Sequence, residues 1–127
     1  MIIGYARVST EDQNLDMQLD ALKEAGCKKI FQDKISGVKE DRDGLLQVMD
    51  IVRPGDILVV WKLDRLGRSL QHLISVIDEL KRKDVYFRSI KENLDTSSST
   101  GKLIFHIFGA LAEFERDIIR ERTMAGL

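Results

Sequence analysis

Apolar and polar positions alternate along this chain in two different periods. Four short apolar segments predict β-strands, and they are residues 2–8, 29–33, 57–61 and 85–90. Between them, apolar residues recur every three or four positions from Leu15, from Leu45 and from Leu70, as in helices that bury one face. This order predicts an α/β fold with a mostly parallel sheet of four to five strands flanked by helices.

The last segment of the chain has a different pattern. A polar run at residues 95–99 predicts a helix start, and residues 103–111 are apolar on nearly every side. One small sheet covers only one side of such a helix, so the other side predicts a partner subunit. Residues 113–122 then alternate acids with Arg116, Arg120 and Arg122, and we expect the helix to continue to Leu127. The expected division is an α/β core, residues 1–100, and a long helix for oligomerisation and DNA contact, residues 101–127.

Composition narrows the class of protein. A chain of 127 residues with 43% apolar and 32% charged residues fits one globular domain. The formal net charge is −1, so any contact with nucleic acid must come from local clusters of arginine. Cys27 is the only cysteine, which excludes an intrachain disulfide. We expect a cytoplasmic protein, because neither a leader peptide nor an apolar run of the ~20 residues that span a bilayer is present.

Candidate chemistry gathers where the predicted strands end. Ser9 ends the first strand two positions after Arg7, so the two side chains are expected to share a face. Ser36 follows the second strand, and Asp64 and Arg65 follow the third. The carboxyl ends of parallel strands meet at one edge of a sheet, so we expect one site. A serine among arginines suits phosphoryl transfer, because arginine binds two phosphate oxygens and keeps its charge.

Each of these residues, taken alone, also has a purely structural explanation. Ser9 is a favoured residue for capping a helix, and Gln13 can complete the capping box that follows it. Arg65 and Arg68 can be surface charges that pair with Asp64. The charged stretch of the last helix can be a solvated face with ion pairs along it. Only the agreement of the whole ordered set favours a catalytic site.

Three ordered motifs resemble the catalytic domain of the resolvase/invertase family of serine recombinases. The motifs are Tyr5 to Thr10 with Gln13 and Gln18 downstream, Leu63 to Ser69, and Glu115–Arg116 to Thr123. The similarity covers the whole chain, and the motifs occur in the family's order with loops of the family's size. Residues 58–69 and 109–126 are more similar to DNA invertases than to resolvases.

The resemblance implies a site-specific recombinase that cuts and rejoins double-stranded DNA at a crossover site. Ser9 attacks a phosphodiester, the 3′ hydroxyl leaves, and a phosphoserine joins the enzyme to the 5′ end. Subunit exchange and the reverse reaction then rejoin the strands, with no cofactor and no metal. Arg7, Arg65 and Arg68 are the expected phosphate clamp, and Asp64 is the expected proton donor to the leaving oxygen.

The same resemblance adds weaker assignments. The residues expected to support the site are Gln13, Gln18, Ser36 and Arg42. The residues of the last helix expected to contact DNA are Arg116, Arg120, Glu121 and Arg122. The implied partners are DNA, a second copy of the chain in a homodimer that assembles to a tetramer, and an accessory DNA-bending protein, with no membrane.

One departure from the family changes the expectation for this chain. Family members carry a helix-turn-helix module after the long helix, and nothing at residues 124–127 resembles one. We therefore expect an isolated catalytic domain with weak, salt-sensitive DNA binding and poor recombination unaided. Two alternatives stay open, namely a non-catalytic oligomerisation module of the same fold, and a resolvase rather than an invertase.

Overall fold

A computed structural model of the chain describes residues 1–9, 15–36, 39–40, 43–67 and 69–124, with the backbone alone at residues 9, 35, 36, 39, 40 and 124. The strands are β1 (Ile2–Ser9), β2 (Lys29–Ser36), β3 (Lys39–Glu40), β4 (Ile57–Val60), β5 (Tyr86–Ser89) and β6 (Leu94–Asp95). The helices are α1 (Leu15–Glu24), α2 (Asp43–Ile51), α3 (Leu70–Arg82) and α4 (Ser99–Met124), with a 3₁₀ turn at Leu63–Arg65.

The described strands form one sheet in the order β3-β2-β1-β4-β5-β6. The four inner strands are parallel and correspond to the four predicted strands, so the predicted mostly parallel α/β sheet is confirmed. The two-residue strands β3 and β6 add antiparallel edges. Residues 36–43 are polar and lack periodicity, which predicts a loop, but β2 continues to Ser36 and β3 lies within that segment. A two-residue strand is too short to leave a periodic signal.

The two faces of the sheet are covered unequally. On one face, β1, β4 and β5 pack against α2, α3 and the start of α4 around buried side chains such as Tyr5, Leu58 and Phe87. On the other face, α1 packs through Leu22 onto a smaller cluster, and burial of Cys27 beside it raises the pKa of that thiol to about 11. Strand β4 is buried on both faces, as its unbroken apolar run predicts.

Helix α4 is the long helix predicted from the sequence, and its 26 residues span about 39 Å. Phe105 docks its first half through an edge-to-face contact with Phe87 on β5, at a ring-centroid distance of 5.7 Å, and a second such contact joins it to Phe108 on α4 itself, at 5.8 Å. Its outer face carries apolar side chains that are 47–61% exposed, and these are Leu103, Ile107, Leu111, Phe114 and Ile119. Within the described residues, no helix combines the length and apolar character needed to cross a membrane.

The start of α4 lies unusually close to β6. The Ser98 hydroxyl donates to the Asp95 carbonyl (2.8 Å) and accepts from the Gly101 N–H (3.0 Å). A Cβ atom on Gly101 would lie 1.8 Å from the Asp95 carbonyl oxygen, whereas a Cβ on Gly109 would meet nothing within 4 Å. Glycine is therefore required at the first position and not at the second.

We predict that Gly101→Ala lowers the free energy of unfolding by about 1–3 kcal/mol, because the added methyl group forces α4 away from β6. The matched control is Gly109→Ala, which we expect to raise it by about 0.5–1 kcal/mol, since alanine is the better helix former in open space. Urea unfolding measures both changes. Equal effects at the two positions would contradict the close contact.

Asp95 gives the stability of this region a pH dependence. Burial raises the pKa of its carboxyl, but hydrogen bonds from Ser97 (N 2.9 Å, Oγ 2.7 Å) and the charge of Arg88 (Nε 3.5 Å) outweigh burial, and the net pKa lies below the ordinary 3.8. The unfolded chain therefore binds this proton more readily than the folded chain. The stabilisation is present above pH 3.8 and is lost as the pH falls towards the lower, folded-state pKa.

We expect Asp95→Asn to flatten the fall in unfolding free energy between about pH 4 and pH 2, because the variant has no carboxyl to protonate. Urea unfolding at stepped pH measures the slope. Asp50→Asn, on the exposed face of α2, is the control. A slope for Asp95→Asn that matches the parent's would refute the assignment.

Candidate active site

The carboxyl edge of the parallel strands brings the predicted segments together. Strands β1 and β2 end side by side, with Ser9 opposite Ile35 in the parallel register. Strand β4, on the other side of β1, ends at Val60 and leads into the 3₁₀ turn. The backbone thus converges as the sequence predicts. The structure describes only the backbone of Ser9 and Ser36. The remaining predicted site residues outside the described part of the chain are Gln13, Arg42 and Arg68.

Arg7 ties the first strand to the segment after β4. Its side chain is 6% exposed, and Nη2 donates hydrogen bonds to the backbone carbonyls of Asp64 and of Gly67, the second at 3.1 Å. A buried guanidinium needs such acceptors, because removing its charge from water is costly. In this arrangement Arg7 binds the loop that carries Asp64 and Arg65. Its predicted role in binding phosphate stays a prediction.

The loop then turns tightly into α3. A Cβ atom on Gly67 would lie 2.7 Å from the backbone of Leu73, so the loop can pack on the first turn of the helix only without a side chain there. Ser69 caps α3 by accepting a hydrogen bond from the His72 N–H at 3.1 Å. These two residues fix where the loop ends.

Asp64 lies on the outer side of the 3₁₀ turn, and Arg65 is half-buried beside it. The Asp64 side chain is 65% exposed, and its carboxylate oxygens are 3.9 Å from Lys62 Nζ and 3.7 Å from Arg65 Nε. The ion pair of the structural explanation is therefore present. Surface pairs of this kind contribute about 0–1 kcal/mol, so stability alone does not account for three charges at this edge. The Asp64 carboxyl group is also open to a substrate, and its predicted role as a proton donor stays a prediction.

Gln18 supports the site from beneath. Its side chain is fully buried on α1, and Nε2 donates to the Arg7 carbonyl at 3.4 Å. Its Oε1 has no hydrogen-bond partner among the described residues. Gln18 therefore contacts the backbone of the strand that carries Arg7, and it is shielded from solvent.

Asp33 and Tyr5 form a buried connection that sequence reasoning missed. The Asp33 carboxylate accepts hydrogen bonds from the Tyr5 hydroxyl (2.6 Å), the Gly44 N–H (2.8 Å) and the Leu45 N–H (3.1 Å). Asp33 thus caps α2 from strand β2 and fixes where this helix begins. The one sequence signal that marks it is an aspartate in a predicted strand, at its last residue, and its register with Arg7 is visible only in the sheet.

The predicted DNA-contacting residues lie on the second half of α4. Arg116, Arg120, Glu121 and Arg122 are all exposed. They follow Ala112, the last buried residue of the helix, beyond which α4 extends about 18 Å. The structure therefore presents these charges on an extension of the body.

Two concave surfaces are described. A shallow depression of about 290 Å³ adjoins Asp64 and is lined by Leu63, Gly67, Ser69 and Leu70. A deeper groove of about 280 Å³ lies between α3, β5 and α4 over Phe87 and Phe105. Only the first borders the residues discussed above. The described residues include no group of three or more His, Cys, Asp or Glu arranged to hold a metal ion.

Comparison with known proteins decides the family. The sequence model described as "Resolvase, N terminal domain" matches residues 2–127. The chain belongs to this resolvase family. The resemblance drawn from the three motifs is confirmed, and the resolvase domain accounts for the whole sequence apart from its first residue.

Two relatives and one solved structure illustrate the similarity of the resolvase domain. Serine recombinase gin of Escherichia phage Mu is 58% identical over all 127 residues, which span 66% of that protein. The DNA-invertase of Escherichia phage P1 is 54% identical over the same length, 68% of that protein. The N-terminal catalytic domain of TP901-1 integrase has a TM-score of 0.78 at 29% identity, over 92% of this chain and 97% of that chain.

The buried connection of the resolvase domain generates a prediction. We expect Asp33→Asn to lower the free energy of unfolding by about 2–4 kcal/mol, because an amide cannot accept from three donors and turns its NH2 group towards N–H groups. Tyr5→Phe removes one neutral donor and should cost about 1 kcal/mol. Tyr86→Phe, at an exposed tyrosine, is the control and should change little. A costly Tyr86→Phe or a neutral Asp33→Asn in urea unfolding would contradict this network.

Proposed function

We propose that this chain is the catalytic domain of a site-specific DNA recombinase that uses Ser9 as its nucleophile. The observation that carries the proposal is the pairing of the ends of β1 and β2 beside a loop that Arg7 holds from within the sheet. The names of the similar proteins, serine recombinase and DNA-invertase, support it. Those proteins are longer, so their complete activity is extended to this chain only as a proposal.

The proposed reaction is a phosphoryl transfer in two steps. The Ser9 hydroxyl passes its proton to solvent water, and its oxygen attacks the phosphorus of a DNA phosphodiester. The bond from phosphorus to the 3′ oxygen breaks, that oxygen takes a proton, and a phosphoserine joins the enzyme to the 5′ end. Attack by a 3′ hydroxyl on the phosphoserine reverses the step and restores Ser9. The phosphoester bond is conserved, so neither a cofactor nor a nucleotide is required.

The described charges are suited to this reaction. Arg65 lies on the exposed turn and, with Arg68, is proposed to stabilise the charge on the transferred phosphate. Asp64, exposed beside it, is proposed to protonate the leaving 3′ oxygen. Arg7 is proposed to act twice, by adding positive charge under the phosphate and by fixing the loop that carries the other two. Gln13, Gln18, Ser36 and Arg42 are proposed to support them.

Helix α4 supports the proposed partners. Leu103, Ile107, Leu111 and Phe114 follow one another at intervals of four, four and three residues, which makes one exposed apolar stripe. We propose that this stripe pairs with that of a second copy in a homodimer, and that dimers assemble to a tetramer on DNA. The part of α4 after Ala112 is proposed to contact double-stranded DNA near the crossover through Arg116, Arg120, Glu121 and Arg122.

The proposed division of the chain follows from these roles. We propose residues 1–100 as the catalytic core and residues 101–127 as the segment for oligomerisation and DNA contact. In the structure α4 begins two residues earlier, at Ser99, and residues 125–127 lie outside the described part of the chain. We propose an enzyme of the invertase type, because the names of the relatives at 58% and 54% identity include serine recombinase and DNA-invertase. We also propose that it is cytoplasmic and that an accessory DNA-bending protein assists it. A non-catalytic oligomerisation module has the same exposed stripe, so a chemical test of Ser9 must separate the two functions.

We predict that Ser9→Ala abolishes covalent attachment to DNA, a loss of at least about 10³-fold, because the variant has no nucleophile. The chain is fused to a DNA-binding module of known target and supplied with a paired-site duplex. Mass spectrometry of the digest then identifies the peptide joined to a 5′ nucleotide.

The matched control is Ser75→Ala, which removes an exposed serine from α3 and should keep the linkage. A parent chain that associates but forms no linkage would favour the oligomerisation module. Linkage that persists in Ser9→Ala would exclude Ser9 as the nucleophile.

A further inference from the structure

The turn between β5 and β6, residues 90–93, lies against the segment that enters the site. The Ile90 N–H donates to the Val60 carbonyl (3.0 Å) and the Lys91 N–H to the Trp61 carbonyl (2.8 Å). The Lys91 ammonium also lies 5.9 Å from the centre of the Trp61 ring. Pairing between β4 and β5 thus continues past the ends of both strands and fixes the turn beside the start of the 3₁₀ turn.

Glu92 extends from this turn to the first free N–H of the 3₁₀ turn. Its carboxylate accepts the Leu63 N–H through both oxygens, at 3.3 and 3.4 Å. The Ser89 hydroxyl, which is fully buried, donates to Glu92 Oε1 and holds the carboxylate in place. Lys62, at the N-cap position, makes no side-chain cap of its own. The acceptor for Leu63 therefore comes from a residue 29 positions away.

We propose that Glu92 is a positioning residue that sets the 3₁₀ turn and, through it, the Asp64 and Arg65 side chains. Arg7 holds the far end of the segment through the Gly67 carbonyl, and Glu92 holds its start through the Leu63 N–H. These two anchors, one on β1 and one in the turn between β5 and β6, fix the direction of the 3₁₀ turn between them. This inference rests on the proposed function, in which Asp64 and Arg65 act on the DNA phosphate.

The negative charge of Glu92 makes it unsuited to bind DNA, so its proposed role is positioning and not substrate binding. Glu92 is exposed and negative at an edge that is proposed to meet DNA phosphates, so it repels rather than binds them. Both bonds to Leu63 are long for N–H···O hydrogen bonds, and their effect is to orient the turn more than to stabilise the fold. Removing Glu92 should therefore slow the chemical step without weakening DNA binding or the whole domain.

Hydrogen exchange on the full chain without DNA tests the positioning directly. We expect the Leu63 amide to exchange about tenfold faster or more in Glu92→Ala, with the amides of β4 and α4 unchanged. Glu92→Gln keeps an acceptor for Leu63 and a partner for Ser89, so its exchange should stay within about threefold of the parent. Unchanged Leu63 exchange in Glu92→Ala would overturn the proposal.

The covalent-attachment assay provides the second readout. We expect Glu92→Ala to lower the single-turnover rate of Ser9 attachment by about 10- to 100-fold with no increase in the DNA concentration at half-saturation. Glu92→Gln should recover most of that rate. Equal rates for Glu92→Ala and the parent, or equal losses in Glu92→Ala and Glu92→Gln, would contradict positioning through the Leu63 N–H.

The matched control is Glu79→Ala, which removes the same side chain and charge from an ion pair with Lys83 (3.8 Å) in the last turn of α3. That turn precedes β5 and lies at the opposite edge of the sheet. Glu79→Ala should match the parent in both readouts. A loss equal to that of Glu92→Ala would mean that removing any such negative charge has this effect, which would contradict positioning by Glu92.

The two proposals can fail separately. If the parent forms no Ser9 linkage, the proposed function fails, and hydrogen exchange still decides whether Glu92 holds the turn.

Discussion

The buried guanidinium of Arg7 is the interaction on which the carboxyl edge of the sheet depends. It takes a full positive charge out of water, and that cost is offset by backbone carbonyls at both ends of the segment from Asp64 to Gly67. Strand β1 and the loop after β4 therefore form one unit. If the loop moves, this charge must find new acceptors, so the fold favours one arrangement of the exposed Asp64 and the half-buried Arg65.

Much of the fold follows from local patterns. The unbroken apolar run of β4 predicts burial on both faces, and the three amphipathic segments predict the helices that cover the sheet. The edge strands β3 and β6 have two residues each, and their pairing depends on what lies beside them rather than on their own sequence. The same limit applies to Asp33, since its donor Tyr5 is 28 positions away.

In the candidate site, the sequence predicts some residues and not others, depending on whether they act through a side chain or through the backbone. Residues whose side chains are proposed to supply the chemistry, such as Ser9 and Arg65, belong to motifs that the sequence displays. Residues that act through the backbone leave no such mark, because a carbonyl or an N–H is present at nearly every position. The acceptors of Arg7 and the donor to Glu92 are of this kind. The sequence therefore predicts which groups gather at the edge and not what holds them there.

The position of Trp61 has a practical consequence. It is the only tryptophan in the chain, and it lies between β4 and the 3₁₀ turn with a lysine ammonium near its ring. The intrinsic fluorescence of the protein on excitation near the red edge of indole absorption therefore originates from this one place. The domain contains its own optical reporter of the edge of the sheet, and no label has to be attached to follow events there.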